Sequence, residues 1–223
     1  NKVKLTQVKT MPLPQQNPVA NRIKQRQETI NQKLAKIKHK IAVLSGKGGV
    51  GKTTVTINLA AMLLEKGKVG IIDADIDCPN VNKFLEINEK FRIEQETLFP
   101  IEKFGLKVIS MASLQEAEDT PIMWRGPLIA NTLLEFLEKT QWGEIDYLLI
   151  DMPPGTSDTS LTVMQQLEIS GVIIVSTPQA VSLIDAKKSI NMAKSFGVKI
   201  LGLVENMSGE VFGKNRANIE LTF

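Results

Sequence analysis

The sequence predicts an α/β protein built on a doubly wound, mainly parallel sheet with helices on both faces. Two patterns support this fold class. Short apolar runs of the kind that form buried strands recur from residue 40 onward, and segments with helical spacing of apolar residues separate them. The chain has 223 residues, of which 43% are hydrophobic and 23% charged. That length and composition are typical of one sizeable α/β domain.

Each predicted element follows from a local signal. An amphipathic helix is predicted over 19–38, after a polar segment that contains prolines. Gly67 is a suitable C-cap for the first helix of the domain, and Pro127 suits the first turn of a later one. The predicted strands are 41–44, 69–72, 106–110, 147–150, 171–175 and 199–204. The predicted domain helices are 52–66, 80–86, 128–139, 158–167 and 182–195.

The charge is unevenly distributed along the chain. Residues 1–40 have a net charge of +9, whereas the remaining residues have a net charge of −6. A basic arm of this kind can bind nucleic acid or anionic lipid, or it can dock on its own acidic domain or stay solvated. We favour an arm that docks on its own domain or stays solvated. We expect no nucleic-acid partner, because residues 1–40 contain no Phe, Tyr or Trp to stack on bases.

The sequence also suggests how the chain is organised and where it works. We predict a partly helical basic extension at 1–39, a nucleotide-binding domain at 40–209, and a C-terminal tail at 210–223, for which truncation is one interpretation. No apolar run approaches the roughly 18 residues that cross a bilayer, and the N-terminus has no apolar signal core. A single cysteine, Cys78, excludes an intrachain disulfide. We therefore expect a cytoplasmic protein without a membrane partner.

The run from Gly46 to Thr53 matches G-x-x-x-x-G-K-S/T, between a predicted strand and a predicted helix. Glycines let such a loop direct its backbone N–H groups toward phosphate oxygens, and the helix adds its positive N-terminal end. Lys52 is predicted to neutralise phosphate charge, and Thr53 to offer its hydroxyl to Mg²⁺. The predicted nucleotide-binding residues of this segment are Gly46, Lys47, Gly48, Gly49, Val50, Gly51, Lys52, Thr53 and Thr54.

Acidic residues follow two of the other predicted strands. Asp73 and Asp75 follow the strand 69–72, and Asp151 follows the strand 147–150. Open α/β sheets bind ligands at the carboxyl ends of their strands, so these side chains are candidates for a metal–phosphate site. The alternative for each aspartate by itself is a turn or cap residue.

The sequence Gly-Lys-Gly-Gly-Val-Gly-Lys-Thr-Thr resembles the deviant phosphate-binding motif of the MinD/ParA/ArsA/nitrogenase-iron-protein superfamily. The resemblance implies a homodimer in which Lys47 reaches the partner's nucleotide. It also implies that Asp75 orients the attacking water and that Asp73 lies near the metal. Asp151 resembles the Walker B carboxylate that holds Mg²⁺ through water. The implied catalytic residues are Lys47, Lys52 and Asp75; the implied metal residues are Thr53, Asp73 and Asp151; the implied switch II residues are Pro153, Pro154 and Gly155.

The resemblance extends to the base-binding end. An asparagine in the position of Asn206 reads adenine in the superfamily, and its amide offers one donor and one acceptor edge for that purpose. Pro178 lies in a segment that resembles the one packed near the base. We therefore predict ATP rather than GTP.

Segments outside the loop resemble the Mrp/ApbC branch of the superfamily. They are Trp124-Arg125-Gly126-Pro127, the run 151–158, and Glu205-Asn206-Met207-Ser208. The first of these is the most discriminating, since partitioning ATPases lack it. Members of this branch are ATPases that carry or scaffold iron–sulfur clusters for transfer to apoproteins, and the likeness covers about residues 38–209.

The chain departs from that branch in its cysteines. Many members have a C-x-x-C soon after the Glu-Asn-Met-Ser segment, and paired cysteines from two protomers would bind a bridging [4Fe–4S] cluster. Here 209–213 contain no cysteine, so a cluster of this kind is not supported by the cysteines of this chain. We interpret Cys78 as a small, partly buried residue near switch I and leave the cluster ligands unassigned.

The leading hypothesis is therefore a homodimeric, Mg²⁺-dependent ATPase with slow, switch-like hydrolysis, which carries or scaffolds iron–sulfur clusters for apoproteins. The alternative is a MinD/ParA-like positioning or partitioning ATPase that uses the basic arm. A redox ATPase that resembles the nitrogenase iron protein ranks last, because it needs two cysteines per chain.

Overall fold

The computed structural model describes residues 18–75, 78–114, 126–209 and 216–221. The remainder of the arm (1–17), Trp124 and Arg125, and the tail residues 210–215 and 222–223 lie outside the described residues. The strands are β1 His39–Ser45, β2 Val69–Asp73, β3 Arg92–Glu94, β4 Thr97–Phe99, β5 Ile101–Lys103, β6 Leu106–Ser110, β7 Tyr147–Asp151, β8 Gly171–Ser176, β9 Ile200–Ser208 and β10 Arg216–Leu221. The helices are α1 Pro18–Leu34, α2 Lys52–Leu63, α3 Val81–Phe84, α4 Gly126–Lys139, α5 Asp158–Gln166 and α6 Ala180–Ser195, with a 3-10 turn at Met111–Leu114.

One eight-stranded sheet has the order β10-β9-β8-β1-β7-β2-β6-β5. The six strands from β9 to β6 in this order run parallel, and β10 and β5 join the two edges antiparallel to their neighbours. β3 and β4 form a separate antiparallel hairpin. After β1 the chain builds the sheet toward β6, returns to insert β7 beside β1, and then continues on the other side of β1 with β8. The sheet therefore changes direction at β1, where such folds bind ligands.

Helices cover both faces of the sheet. Buried side chains of α1, α4, α5 and α6 pack in one apolar cluster with one set of strand residues, and those of α2 and α3 pack in a second cluster with the alternate set. The central strands β1, β7 and β8 are buried almost throughout, because both of their faces are covered. The predicted fold class, a doubly wound and mainly parallel sheet, is confirmed.

The helix α1 docks on the domain that follows it. Ile30, Leu34 and the nearby Ile37 are buried in the cluster formed with α4 and α5. Arg26 Nε lies 3.0 Å from Glu138 Oε2 on α4, so part of the basic arm pairs with an acidic residue of its own domain. Docking of this part of the arm agrees with the interpretation that we favoured.

The structure adds strands that the sequence pattern did not predict. β3, β4 and β5 contain three residues each and are largely exposed or half-buried, so they lack the apolar run on which strand prediction depends. β9 continues to Ser208, beyond the predicted end at 204, because β10 pairs with it from Gly202 to Ser208. Among the described residues, no helix combines the length and apolar character needed to cross a membrane.

Candidate nucleotide site

The loop between β1 and α2 lies at the carboxyl edge of the sheet, beside the point where strand order reverses. Gly49 and Gly51 have φ angles of 77° and 88°, in the left-handed region that favours glycine. Gly51 is the N-cap of α2, so the chain turns sharply and enters the helix at Lys52. The positive end of a 12-residue helix therefore faces the loop, as an anion site requires.

Gly46 allows α6 to approach the loop closely. A Cβ atom at this position would lie 2.2 Å from the backbone carbon of Asp185, far inside van der Waals contact. Ser182, Ala186 and Ser189 are small buried residues at helical spacing on α6, which fits this close approach to the sheet. The first glycine of the motif is therefore required for the packing of α6 against the loop.

Three groups of the predicted site meet at the end of β7. Lys52 Nζ lies 2.8 Å from Asp151 Oδ1, and the Thr53 hydroxyl donates to Asp151 Oδ2 at 2.7 Å. The Asp151 side chain is fully buried, and that of Lys52 is 7% exposed. A lysine, a hydroxyl and a carboxylate are thus held together at the carboxyl edge, where the motif predicted a phosphate and metal site.

The two aspartates after β2 occupy different surroundings. Asp75 Oδ2 lies 3.9 Å from Lys52 Nζ, within ion-pair distance. Asp73 is fully buried, and its carboxylate accepts hydrogen bonds from the backbone N–H groups of Asp75 and Val81 and from the Ser110 hydroxyl, at 3.1 to 3.2 Å. Asp73 therefore anchors the segment that leads from β2 into α3.

Charge is unbalanced in this region. Asp73 and Asp151 are register partners on the adjacent parallel strands β2 and β7. Burial, and then the negative charge of Asp151, raise the pKa of Asp73 to about 7. Lys52 pairs with the carboxylates of Asp75 and Asp151, so two acidic side chains share one lysine in the described part of the site. The excess of negative charge favours an added cation.

The segment after β7 is connected to the loop through backbone hydrogen bonds. The N–H of Gly155 donates to the carbonyl of Ser45 at 2.8 Å, immediately before the loop begins. Gly155 has a φ angle of 78°. Pro154 is the nearest neighbour that a side chain at Gly48 would meet, at 4.0 Å. The predicted switch II residues therefore lie directly beside the phosphate-binding loop.

The predicted base-binding residues differ in position. Asn206 Nδ2 donates to the carbonyl of Val50 at 2.9 Å, so Asn206 lies against the loop. Pro178 is exposed in the bend that follows β8, and β8 is the strand next to β9 in the sheet. Thr54 and Lys47 are also exposed.

Sequence reasoning missed two residues that contact the predicted carboxylates. The Thr56 hydroxyl is 2.8 Å from Asp151 Oδ1, and the Ser110 hydroxyl donates to Asp73. The helical spacing of Thr56, four residues after Lys52, was the signal that could have found it. Ser110 had no such signal, since β6 joins β2 only through the sheet. The interpretation of Cys78 as partly buried is wrong, because Cys78 is exposed.

Curated relatives identify the family. The family model described as ParA, NUBPL iron-transfer P-loop NTPase, matches residues 36–221. An iron-sulfur cluster carrier protein from Methanocaldococcus jannaschii is 51% identical over 191 residues, which cover 84% of this chain and 66% of that protein. An Arabidopsis thaliana iron-sulfur protein required for NADH dehydrogenase, mitochondrial, is 45% identical over 81% of this chain and 58% of its own length. The chain thus spans less than two thirds of either relative.

Solved structures agree with this relationship. A nucleotide-binding protein from Archaeoglobus fulgidus, solved in complex with ADP, is 41% identical with a TM-score of 0.71, covering 86% of this chain and 76% of that one. The septum site-determining protein MinD from Pyrococcus horikoshii, complexed with Mg-ADP, has a TM-score of 0.55 over 78% of this chain and 72% of its own; at 24% identity it shares the fold. This chain belongs to the NUBPL iron-transfer P-loop NTPase family, whose curated members include iron-sulfur cluster carrier proteins.

Proposed function

We propose that this chain binds and hydrolyses ATP with Mg²⁺ as a homodimer, and that it carries or scaffolds iron–sulfur clusters for transfer to apoproteins. The observation that carries the ATPase part is the contact of Asp151 with both Lys52 and Thr53. These are the groups that a phosphate-binding loop uses for phosphate charge and for Mg²⁺. Membership of the iron-transfer family supports the carrier part.

The residues at the end of β7 fit Mg²⁺. A carboxylate and a hydroxyl supply hard oxygen ligands, and Mg²⁺ takes its remaining ligands from phosphate and water. Within the described residues no group of three or more His, Cys, Asp or Glu side chains could hold a metal by itself. Thr53 and Asp151 would hold the ion, with Asp73 nearby, and the ion would neutralise charge on the phosphates.

Different groups of the chain would then act on different parts of the nucleotide. Lys52 exchanges its contact with Asp151 for the phosphates, and the loop and α2 bind phosphate oxygens through backbone N–H groups. Asp75, whose carboxylate lies 3.9 Å from Lys52, would then orient the attacking water. Pro153, Pro154 and Gly155 would respond to the transferred phosphate as switch II, because this segment already borders the loop. The prolines have no N–H, so the backbone donor would be Gly155, which would first have to release the Ser45 carbonyl.

The proposed homodimer rests on Lys47. Its side chain is exposed at the loop, whereas Lys52 is buried in contact with Asp151. An exposed lysine beside the phosphates is suited to reach a nucleotide on a second copy of the chain. It would add positive charge where negative charge develops during phosphoryl transfer.

The cluster would be cargo of the protein, and its ligands are not all present in this chain. A cubane cluster takes four thiolates, whereas the sequence contains one cysteine, Cys78, so a dimer would offer two. Cys78 is exposed, and its backbone N–H lies 3.3 Å from Asp75 Oδ1 beside the nucleotide site. The thiols of this chain therefore do not fit a complete cluster, and the remaining ligands must have another source.

The MinD/ParA-like alternative requires the basic arm to be available for binding. Docking of α1 against α4, with Arg26 paired to Glu138, favours the carrier over this alternative. Retention of the chain on DNA or on anionic liposomes only when ATP is present, and lost on deletion of residues 1–39, would reverse that preference.

The proposal is tested with the chain purified without air. Calorimetric titration with ATP and Mg²⁺ and a phosphate-release assay examine the ATPase, and iron and acid-labile sulfide analysis before and after reconstitution examines the cargo. Slow, Mg²⁺-dependent phosphate release together with transferable iron and sulfide is expected. Absence of hydrolysis overturns the ATPase part, and absence of any bound cluster, both in this chain and in a variant extended to the length of its relatives, overturns the carrier part.

A further inference from the structure

Thr56 is a fully buried residue on α2, four positions after Lys52. Its hydroxyl lies 2.8 Å from Asp151 Oδ1 and 3.1 Å from the carbonyl oxygen of Lys52. Because residues four apart share one face of a helix, Lys52 and Thr56 approach the same carboxylate oxygen. Thr53 approaches the other oxygen. Within the described part of the chain, a single helix therefore supplies the three side chains that donate to Asp151.

The hydroxyl of Thr56 has one proton and two acceptors within reach. A bond from a buried threonine to the carbonyl four residues earlier is common in helices and concerns local structure alone. The carboxylate is the stronger acceptor, since its charge strengthens the bond, and it is also the closer of the two oxygens. The proton is therefore directed to Asp151, and the Lys52 carbonyl retains its place in the helix.

We propose that Thr56 is a positioning residue for Mg²⁺-nucleotide binding, which holds the Asp151 carboxylate in place when Lys52 and Thr53 turn to the phosphates and the metal. This inference rests on the proposed function, because it needs Asp151 to serve a metal. Lys52 and Thr53 both have a second task in that function, whereas Thr56 is buried below them with no access to the ligand. Its contact with Asp151 is the one that persists through the cycle.

Loss of the Thr56 hydroxyl should weaken metal binding, whereas loss of a loop residue would weaken nucleotide binding itself. Without the Thr56 hydroxyl, Asp151 Oδ1 loses the donor that stays in place once Lys52 has moved, and the carboxylate is free to rotate away from the metal position. Nucleotide binding through the loop backbone and Lys52 does not use Thr56. The loss should therefore fall on the affinity for the metal, and loss of an outer partner of a metal ligand typically costs about 10- to 100-fold.

The test compares Thr56→Val, which keeps the side-chain shape, with Thr56→Ser, which keeps the hydroxyl. ADP affinity is measured by calorimetry in EDTA and then across a Mg²⁺ titration, and Mn²⁺ bound with ADP is followed by electron paramagnetic resonance. For Thr56→Val we expect ADP affinity in EDTA within about threefold of the parent and a metal half-saturation concentration raised about 10- to 100-fold. Thr56→Ser should match the parent in both the metal titration and the Mn²⁺ spectrum.

Thr140→Val is the matched control. Thr140 is also buried and also donates to the carbonyl four residues earlier, that of Phe136, but it lies at the end of α4 beside β4. This variant should lose stability without any change in the metal titration. Thr56→Ala replaces Thr56→Val if the latter does not fold.

Three outcomes overturn the inference. Parental metal affinity in Thr56→Val removes the positioning role, and so does a failure of Thr56→Ser to restore it. An equal loss of ADP affinity in EDTA and in Mg²⁺ assigns the residue to loop structure. If the parent chain itself binds nucleotide with no dependence on Mg²⁺, the proposed function fails, and that result is distinguishable because it precedes any variant.

Discussion

The side-chain amide of Asn206 donates a hydrogen bond to the carbonyl oxygen of Val50 across 2.9 Å, and so connects the end of β9 to the phosphate-binding loop. An asparagine amide has two N–H groups and one carbonyl. One N–H is engaged by Val50, which leaves the other N–H and the carbonyl oxygen for a ligand. That remaining pair is the donor and acceptor set that the N7 and N6 edge of adenine requires.

Replacement of Asn206 tests whether its amide contacts both Val50 and the base of the nucleotide. We expect Asn206→Ala to weaken ATP binding about tenfold, because two hydrogen bonds of about 0.5 to 1.5 kcal/mol each are lost. GTP binding should change less, so that discrimination between the two nucleotides narrows. Calorimetric titration with each nucleotide measures both effects. Asn58→Ala, which removes an exposed asparagine from α2, should leave them unchanged. Unaltered discrimination in Asn206→Ala would exclude contact with the base.

The exposed Lys47 and the buried Lys52 are expected to have different roles. We expect Lys47→Ala to bind ATP within about threefold of the parent and to hydrolyse it about 100-fold more slowly, because one charge is missing where negative charge develops. Single-turnover phosphate release, measured beside equilibrium binding, separates the two effects. Lys187→Ala removes an exposed lysine from α6 and should retain the parental rate. A parental rate in Lys47→Ala contradicts the action of this lysine on the nucleotide of a second copy.

The docking of α1 predicts a loss of stability without a loss of nucleotide binding. Ile30 on α1 is fully buried in the apolar cluster formed with α4 and α5, so Ile30→Ala should lower the free energy of unfolding by about 2 to 4 kcal/mol. Urea denaturation monitored by circular dichroism measures this change. Val181→Ala, at an exposed position on α6, should cost less than about 0.5 kcal/mol. A cost of that small size at Ile30 would mean that α1 is detached in solution.

The raised pKa of Asp73 predicts a pH dependence of stability for the metal-free protein. Asp73 has a pKa of about 7 in the folded chain and 3.8 as a free side chain, so between these values the folded state binds more protons than the unfolded state. The free energy of unfolding should therefore fall as the pH rises from about 4 to about 7, with a slope of at most about 1.4 kcal/mol per pH unit, and level off above that range.

Urea denaturation in EDTA at half-unit steps from pH 5 to pH 8 measures this slope. Asp146 and Glu144 have pKa values lowered below their ordinary range by Lys38 and Lys68, so both stay ionised across these conditions. Asp73→Asn, which cannot titrate, serves as the reference and should show a flatter profile. Parallel profiles for the parent and Asp73→Asn contradict the assignment of the slope to Asp73.

The predictable part of the site is the part that is local in sequence. The loop 46–53 has its glycines, lysine and threonine in one short stretch, and the strand before it and the helix after it have strong patterns of their own. Asp151 ends an apolar run, so its place at the carboxyl edge of a parallel sheet follows from the fold class. For these residues the local pattern and the tertiary structure agree.

The parts that sequence reasoning missed depend on pairing between distant segments. Ser110 contacts Asp73 because β6 joins β2, and no local signal connects the two. The exposure of Cys78 and the strand β10 also depend on distant segments. Cys78 is exposed because of the path that the chain takes after β2, and β10 is a strand because it pairs antiparallel with β9. Short, polar segments such as β3 and β5 become strands only when a neighbour offers hydrogen bonds.

The sequence by itself determined the fold class, the phosphate-binding loop and the set of acidic residues around it, because periodic burial and glycine chemistry act over a few neighbouring residues. The tertiary structure decided which of those groups contact one another. It placed Lys52, Thr53 and Thr56 on one carboxylate, turned Asp73 inward toward its own loop, and attached Asn206 to Val50. Distances between residues 95 and 156 positions apart are set by strand order and helix packing, which no local pattern contains.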